Sequence, residues 1–222
     1  TDNGLTVAGR PGAQFAVHRP CLNMSGEEDG AVVPLDTADL DREKGTVTII
    51  FQIVGATTEK LNHKEEGDYL QDFVGPLGKA TETEGLKRVA VIGGGVGTAI
   101  AYPVAKKLHD VGCHVDLIVG FRNKDLIILE DEFRAASTNF IIGTDDGSYG
   151  KKALVTDLLR EQIEAGVQYD RVIHIRPVLM MKFGSQLTKE YNNPTAVDMT
   201  PLMVHDTAVC RRWRTNVGRS AH

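Results

Sequence analysis

Two rhythms of apolar and polar residues divide this chain. Residues 11–85 are β-rich. Gly45–Gly55 carries a strong β-branched run after the turn Asp41–Gly45, and it predicts a strand. Gly67–Gly75 predicts a second strand, closed by Gly75-Pro-Leu-Gly78. Short strands at this spacing point to a small barrel. Lys79–Gly85 is polar and predicts a linker. From Leu86 onward, strands alternate with helices. Strands are expected at Val89–Ile92, Val115–Val119, Asn139–Ile142 and Arg171–Ile175. Helices are expected at Thr98–Leu108, Asp125–Ala136, Ala153–Ala165 and Met180–Tyr191. This βαβ order implies a parallel sheet with ligands at the strand C-termini. Beyond Asn192 the pattern weakens.

The densest signal is Arg88–Pro103, which reads strand, glycine turn, helix. Gly93, Gly94, Gly95 and Gly97 follow the apolar run Val89–Ile92 without a gap. Glycines at such a turn admit a pyrophosphate close to the backbone, and the helix N-terminus offers it free N–H groups. A glycine turn of this kind also occurs as plain packing and capping. Four glycines in five positions favour a nucleotide. The turn departs from G-x-G-x-x-G, since Thr98 stands at the third glycine's place, and no P-loop Gly-Lys-Ser/Thr follows. Thr144-Asp-Asp-Gly-Ser-Tyr-Gly150 is either a turn built on Asx chemistry or a ligand loop at the same sheet edge. In the second case Asp145 and Asp146 would bind ribose hydroxyls or a carboxamide. The second strand of the βαβ part ends Val119-Gly-Phe-Arg122, with no acid placed for a ribose diol. Arg122 there would suit a 2′-phosphate. Gly55, Thr57 and Thr58 form a strand-ending turn with a close backbone and two hydroxyls.

Composition narrows the picture only a little. The chain has 222 residues, 41% hydrophobic and 25% charged, with net charge −5, which gives no reason to expect nucleic-acid binding. No apolar run approaches the ~20 residues that span a bilayer. Thr1–Arg10 has no signal-peptide character, and the start at Thr1 points to a missing or processed N-terminus. Three scattered cysteines argue against a disulfide scaffold and fit a reducing cytoplasm. The seven histidines show no metal spacing, so each is expected at the surface or satisfied in the core.

Taken in order, these segments resemble the ferredoxin–NADP reductase superfamily. More narrowly, the chain is similar to the small FAD subunits of NADH-dependent reduced ferredoxin:NADP oxidoreductases and to the electron-transfer subunits of dihydroorotate dehydrogenase. The resemblance runs from about Pro11 to about Cys210. It is carried by Ile92–Ala99, Lys124–Glu132, Thr144–Gly150 with Val155–Asp157, and Pro177 through Met180–Lys182.

This resemblance implies an FAD-binding β-barrel over residues 1–85, an NAD(P)-binding α/β parallel-sheet domain over 86–195, and a 2Fe-2S-type segment over 196–222. The family's flavin segments fall on Pro34 and Leu35, on Gly55, Thr57 and Thr58, and on Gly75, Pro76, Leu77 and Gly78. Its dinucleotide segments fall on Gly94, Gly95, Val96, Gly97 and Thr98, on Arg122, on Asp145, Asp146, Gly147 and Tyr149, and on Pro177 and Met180. Hydride would pass between NAD(H) and FAD, and single electrons would go on to a cluster or a partner. NADP(H) is the alternative dinucleotide. No side chain is expected to act as acid or base. A larger glutamate-synthase-like flavin/iron–sulfur subunit and ferredoxin are the implied partners. The alternatives are a non-catalytic regulatory subunit and a dihydroorotate dehydrogenase subunit. Several positions depart from the family pattern. Val32 and Asp36 replace its flavin-motif Arg and Thr, Arg176 stands where it has Gly, and His205 and Trp213 replace cluster-segment residues. Cys210 is the one matching cluster ligand, with His205 the other residue at that site, so a normal cluster is not expected.

Overall fold

The computed structural model describes residues 14–22, 28–41, 43–53, 56–68, 72–77, 81 and 83–198. The first half builds one antiparallel sheet. Its strands are β1 (Gln14–Leu22), β2 (Glu28–Asp41), β3 (Thr46–Ile49) and β4 (Asp72–Leu77), in the order β3-β2-β1-β4. The β1–β2 hairpin had no counterpart among the named expectations. β3 ends at Ile49, short of the expected Gly55, and the chain then enters α1 (Ala56–Asn62). The second expected strand is shifted toward its C-terminus and runs through Gly75 and Pro76. Between Leu77↔Gln14 and Val74↔Ala16, β4 spends one residue more than β1. Pro76 has no N–H to give the ladder, so a bulge on this outer strand is where it fits.

The second half is a six-stranded parallel sheet. Its strands are β5 (Arg88–Gly94), β6 (His114–Phe121), β7 (Asn139–Thr144), β8 (Lys151–Lys152), β9 (Arg171–Ile175) and β10 (Thr195–Asp198), in the order β10-β9-β5-β6-β7-β8. All its pairings are parallel, as the βαβ rhythm predicts. Two core clusters show that helices cover both faces. Helices α2 (Thr98–Asp110) and α3 (Glu130–Ala135) join Val89, Val91, Val115 and Leu117 in one. Phe133 of α3 is fully buried there, with ring centroids 6.1 Å from Tyr102 and 5.9 Å from Phe140. Helices α4 (Val155–Glu164) and α5 (Val178–Glu190) join Ala90, Ile92, Ile118 and Val172 in the other. Strands buried on both faces read as continuous apolar runs, which is why β5, β6 and β9 were legible.

The expected helix 125–136 is much shorter. A 3₁₀ turn covers Lys124–Leu126, Leu129 takes φ +54, and α3 begins only at Glu130. Ile127, Ile128 and Leu129 pack on the core outside any helix, with Ile127 extended and Leu129 left-handed, so their apolar run is not a helix face. Glu130, Asp131 and Glu132 then fall in the first turn of α3, where negative charge suits the helix dipole.

The halves meet along α2. Leu35, Thr37 and Ala38 of β2 are buried, and Lys106 Nζ donates to Asp39 Oδ1 at 2.9 Å. At the amino edge of the parallel sheet, buried Asp116 is closed by polar partners. Arg88 Nε and Nη2 donate to its Oδ2 at 3.1 and 2.8 Å, and Asn139 Nδ2 donates to its Oδ1 at 2.6 Å. Asp170 Oδ2 accepts the backbone N–H groups of Lys87 and Arg88 at 2.7 and 2.9 Å. Among the described residues, no helix is long and apolar enough to cross a membrane.

Candidate functional site

At the opposite, carboxyl edge lies a cleft of about 900 Å³. It opens where β5 and β9 end side by side. From β5 the chain leaves through α2 to β6 on one side, while β9 flanks β5 on the other. Such a switch point is where open α/β sheets bind ligands. Its floor is Gly94, Gly95 and Val96, and one wall is Arg176, Pro177, Val178 and Met181. The segment after β6 gives Arg122, Asp125, Leu126 and Ile128. Ile50, Phe51 and Gln52 close it from the first half, and Asp198 sits at the end of β10.

The glycines divide the labour. Gly95 has φ +55, and a Cβ there would meet nothing within 4 Å, so this backbone faces open space. Gly94 and Gly97 are needed for packing instead. A Cβ on Gly94 would stand 2.7 Å from Pro177 Cδ, and one on Gly97 would stand 2.8 Å from Arg176 Cβ. The Gly94 N–H donates to the Arg176 carbonyl at 3.1 Å, pinning the two strand ends together. Thr98 is fully buried, and its hydroxyl donates to the Gly95 carbonyl at 2.7 Å. It shapes the turn rather than facing the cleft.

The loop 144–150 is drawn shut on itself. The Thr144 hydroxyl donates to the Tyr149 carbonyl and accepts the Tyr149 N–H, at 2.7 and 3.1 Å. Asp146 Oδ1 accepts the Ser148 N–H at 2.9 Å, and hydrogen bonding to Ser148 holds its carboxyl below the usual range. Gly147 takes φ +77. Tyr149 donates to Glu130 Oε1 at 2.7 Å. Arg134, together with Tyr149, lowers the Glu130 pKa. Asp145, Asp146, Gly147 and Tyr149 are not among the cleft-lining residues. The Asx-turn alternative describes the loop as it stands.

Arg122 and Pro177 do line the cleft, whereas Met180 packs behind Gly94 and Met181 takes the lining place. Helix α5 begins at Val178, two residues before the expected start, and which methionine faces the cleft follows from that phase. The flavin segments Pro34–Leu35 of β2 and Gly75–Leu77 of β4 come together across one stretch of β1. Ala16 pairs with Pro34 and Val74, and Gln14 pairs with Leu77. Leu35 is buried, and Thr57 and Thr58 lie in α1. Gly55, Gly78, His205 and Cys210 lie outside the described residues. Among those described, no cluster of His, Cys, Asp or Glu is placed to hold a metal ion.

One histidine corrects the expectation that core histidines are satisfied. His174 of β9 is fully buried against Gly184 of α5, and neither ring nitrogen has a hydrogen-bond partner. Burial lowers its pKa to about 4. Ile50–Gln52, Asp125, Leu126, Ile128, Val178 and Asp198 also line the cleft and are not among the expected site residues. Asp125, Leu126 and Ile128 fall in the segment Lys124–Glu132 that carries the resemblance, whereas no local pattern marks Ile50–Gln52 or Asp198, because the neighbourhood of β5, β9 and β10 is a product of topology.

No family model matches the chain. A dihydroorotate dehydrogenase B (NAD⁺) electron transfer subunit homolog of Thermotoga maritima is 39% identical over 208 residues, covering 94% of this chain and 71% of the relative. The chain belongs to that electron-transfer subunit family. A Clostridium beijerinckii protein of the adh 3′ region is 46% identical over 203 residues, covering 88% of this chain and 69% of its own. Among solved structures, the NADH-dependent reduced ferredoxin–NADP oxidoreductase, studied for flavin-based electron bifurcation, matches with TM-score 0.80. The match is 33% identical and covers 93% of this chain and 71% of that one. The cytochrome b5 reductase domain of Ulva prolifera nitrate reductase, 17% identical with TM-score 0.62, shares the fold. Family membership makes the chain an electron-transfer flavoprotein subunit of the ferredoxin–NADP reductase superfamily.

Proposed function

We propose that the chain is the subunit through which a nicotinamide dinucleotide exchanges electrons with FAD in an NAD(P)H:ferredoxin oxidoreductase of transhydrogenase type. The observation that carries this reading is the cleft at the β5/β9 switch point. It has an open glycine backbone on one side and Ile50–Gln52 of the first half on the other. Residues 1–85 are read as the FAD-binding barrel and 86–195 as the dinucleotide domain.

The residues present fit a dinucleotide. The open φ-positive Gly95 and the first turn of α2 suit a diphosphate, and Arg122, which lines the cleft, would suit an adenosine ribose phosphate. For FAD, the fit lies in the convergence of Pro34–Leu35 and Gly75–Leu77 on β1. When bound, the two cofactors supply hydride exchange, and the flavin passes electrons onward singly. Gly94 and Gly97 let the wall from Arg176 to Val178 approach the floor. Pro177 and Met181 shield the cleft from water with apolar surface. NAD(H) is favoured by the name of the solved relative, and Arg122 by itself favours NADP(H).

A larger glutamate-synthase-like subunit with ferredoxin is the proposed partner. The curated relatives' names support a dihydroorotate dehydrogenase chain as the second reading. Val32 and Asp36, in place of the flavin-motif Arg and Thr, support a third, a subunit that keeps the fold without catalysis. Anaerobic NADH added to the isolated protein tests the proposal. Bleaching of a visible flavin band is expected, and a colourless protein that binds no dinucleotide rejects it. Co-purification distinguishes the two partners.

A further inference from the structure

We propose that Arg176 is a phosphate-holding residue of the cleft, retained at a backbone position that an arginine occupies at a cost. The inference rests on reading the cleft as a dinucleotide site. Three observations meet at this residue. Its φ is +38, a region that favours glycine and that L side chains rarely adopt. Its side chain begins against the glycine turn, with Cβ 2.8 Å from where a Cβ of Gly97 would stand. The residue itself lines the cleft beside Gly94, Gly95 and Val96, and it is half-buried.

Glycine would fill the backbone requirement without strain. Backbone in sparsely populated conformations persists where the surroundings over-determine it, and such residues gather at binding sites. Here the surroundings are explicit. The carbonyl of Arg176 accepts the Gly94 N–H, and Pro177 packs on Gly94. The chain path is therefore set by the turn, and arginine rides on it. An arginine adds a planar fork of donors matched to phosphate oxygens.

The ligand chemistry is the bridging diphosphate rather than a ribose phosphate. Arg176 stands in the wall after β9, with its Cβ against the glycine turn, while Arg122 follows β6, on the other side of β5. The cleft as a whole is not strongly positive, because Asp125 and Asp198 line it as well. An anion is therefore held by local contact at the turn and not by the general field of the cleft.

The two demands on Arg176 give a test in which stability and affinity move in opposite directions. Arg176→Gly is expected to raise Tm by about 2–4 °C, the scale of one relieved backbone strain in a chain of this size. The same variant is expected to weaken NADH and NADPH binding alike, by roughly tenfold to a hundredfold, with less dependence on salt. Arg176→Lys should keep part of the affinity, as a charge without the fork. The titrations use the full chain, with binding read by calorimetry.

Unchanged affinity in Arg176→Gly overturns the proposal, whatever Tm does. Loss confined to NADPH overturns it too, because it moves the contact to the 2′-phosphate. A wild-type protein that binds neither dinucleotide defeats the reading of the cleft itself, and the role of Arg176 falls with it. Binding by the wild type with no change in the variant leaves that reading standing and removes Arg176 alone.

Discussion

The two edges of the parallel sheet solve opposite problems. At the amino edge, charged side chains neutralise one another. Asp116 is fully buried, yet Arg88 and Asn139 donate to it, and the Arg88 guanidinium lies 5.7 Å above the Tyr169 ring. At the glycine turn of the carboxyl edge, side chains are withdrawn. Glycines bring two strand ends together, and the backbone of Gly95 is left facing a cleft. One sheet pairs its charged groups with one another at one end and, at the other, leaves the Gly95 backbone open beside the proposed ligand cleft. The closed edge should therefore govern stability, and the open edge binding.

The largest expected effect is at the closed edge. Asp116→Ala leaves Arg88 and Asn139 without their acceptor and should cost about 3–5 kcal/mol. Urea unfolding measures this, and dinucleotide affinity should be unchanged under folding conditions. A fall in affinity with stability intact would erase the contrast between the edges.

Between the edges, His174 sets a pH dependence. Its folded-state pKa is about 4, below the ordinary 6.5, so the unfolded chain binds the proton first as pH falls. Stability is complete above the unfolded-state value and declines as pH drops from about 6.5 toward 4, by about 3 kcal/mol in all. Unfolding free energies across that window should slope for the native chain and flatten for His174→Leu. Equal slopes would mean that another group carries the dependence.

Gly94→Ala sharpens the comparison from the open side. Its Cβ would press on Pro177 Cδ at 2.7 Å, so about 1–3 kcal/mol of stability should go, together with dinucleotide binding as the wall is pushed away. The smallest effect is expected of Gly95→Ala, which meets no atoms but must hold φ +55. It should lose about 1 kcal/mol. If it also loses affinity, the open backbone is a contact surface, and if it does not, the turn serves only to redirect the chain.

What was legible in the sequence follows the range of each interaction. Val89–Ile92 with Gly93–Gly97 carries its own local pattern, and β5, the turn and α2 stand where it predicts. Leu126–Leu129 reads as a helix because an apolar run stands beside an acidic one, while the fold ends a 3₁₀ turn at Leu126 and lays Ile127–Leu129 over the core as non-helical chain. Strands β8 and β10 are short edge strands, the first exposed and the second half-exposed, without the apolar run that marked β5. In the first half, β1 and β2 contain Pro20, Pro34 and several charges, which hide a hairpin recognisable once its register is known. Arg176 stood out as a departure from a pattern, but its φ and its place beside the glycine turn required the fold.

Helix α2 touches both halves of the molecule. The glycine floor of the cleft leads directly into its first turn, and two turns later Lys106 grips Asp39 of the antiparallel sheet. The helix thus acts as a spacer bar between the seat proposed for one redox group and the sheet proposed to hold the other. For a reaction whose rate falls steeply with separation, that bar makes the working distance a built-in dimension of the protein. Tightness of ligand binding and speed of electron delivery can then be tuned by different residues.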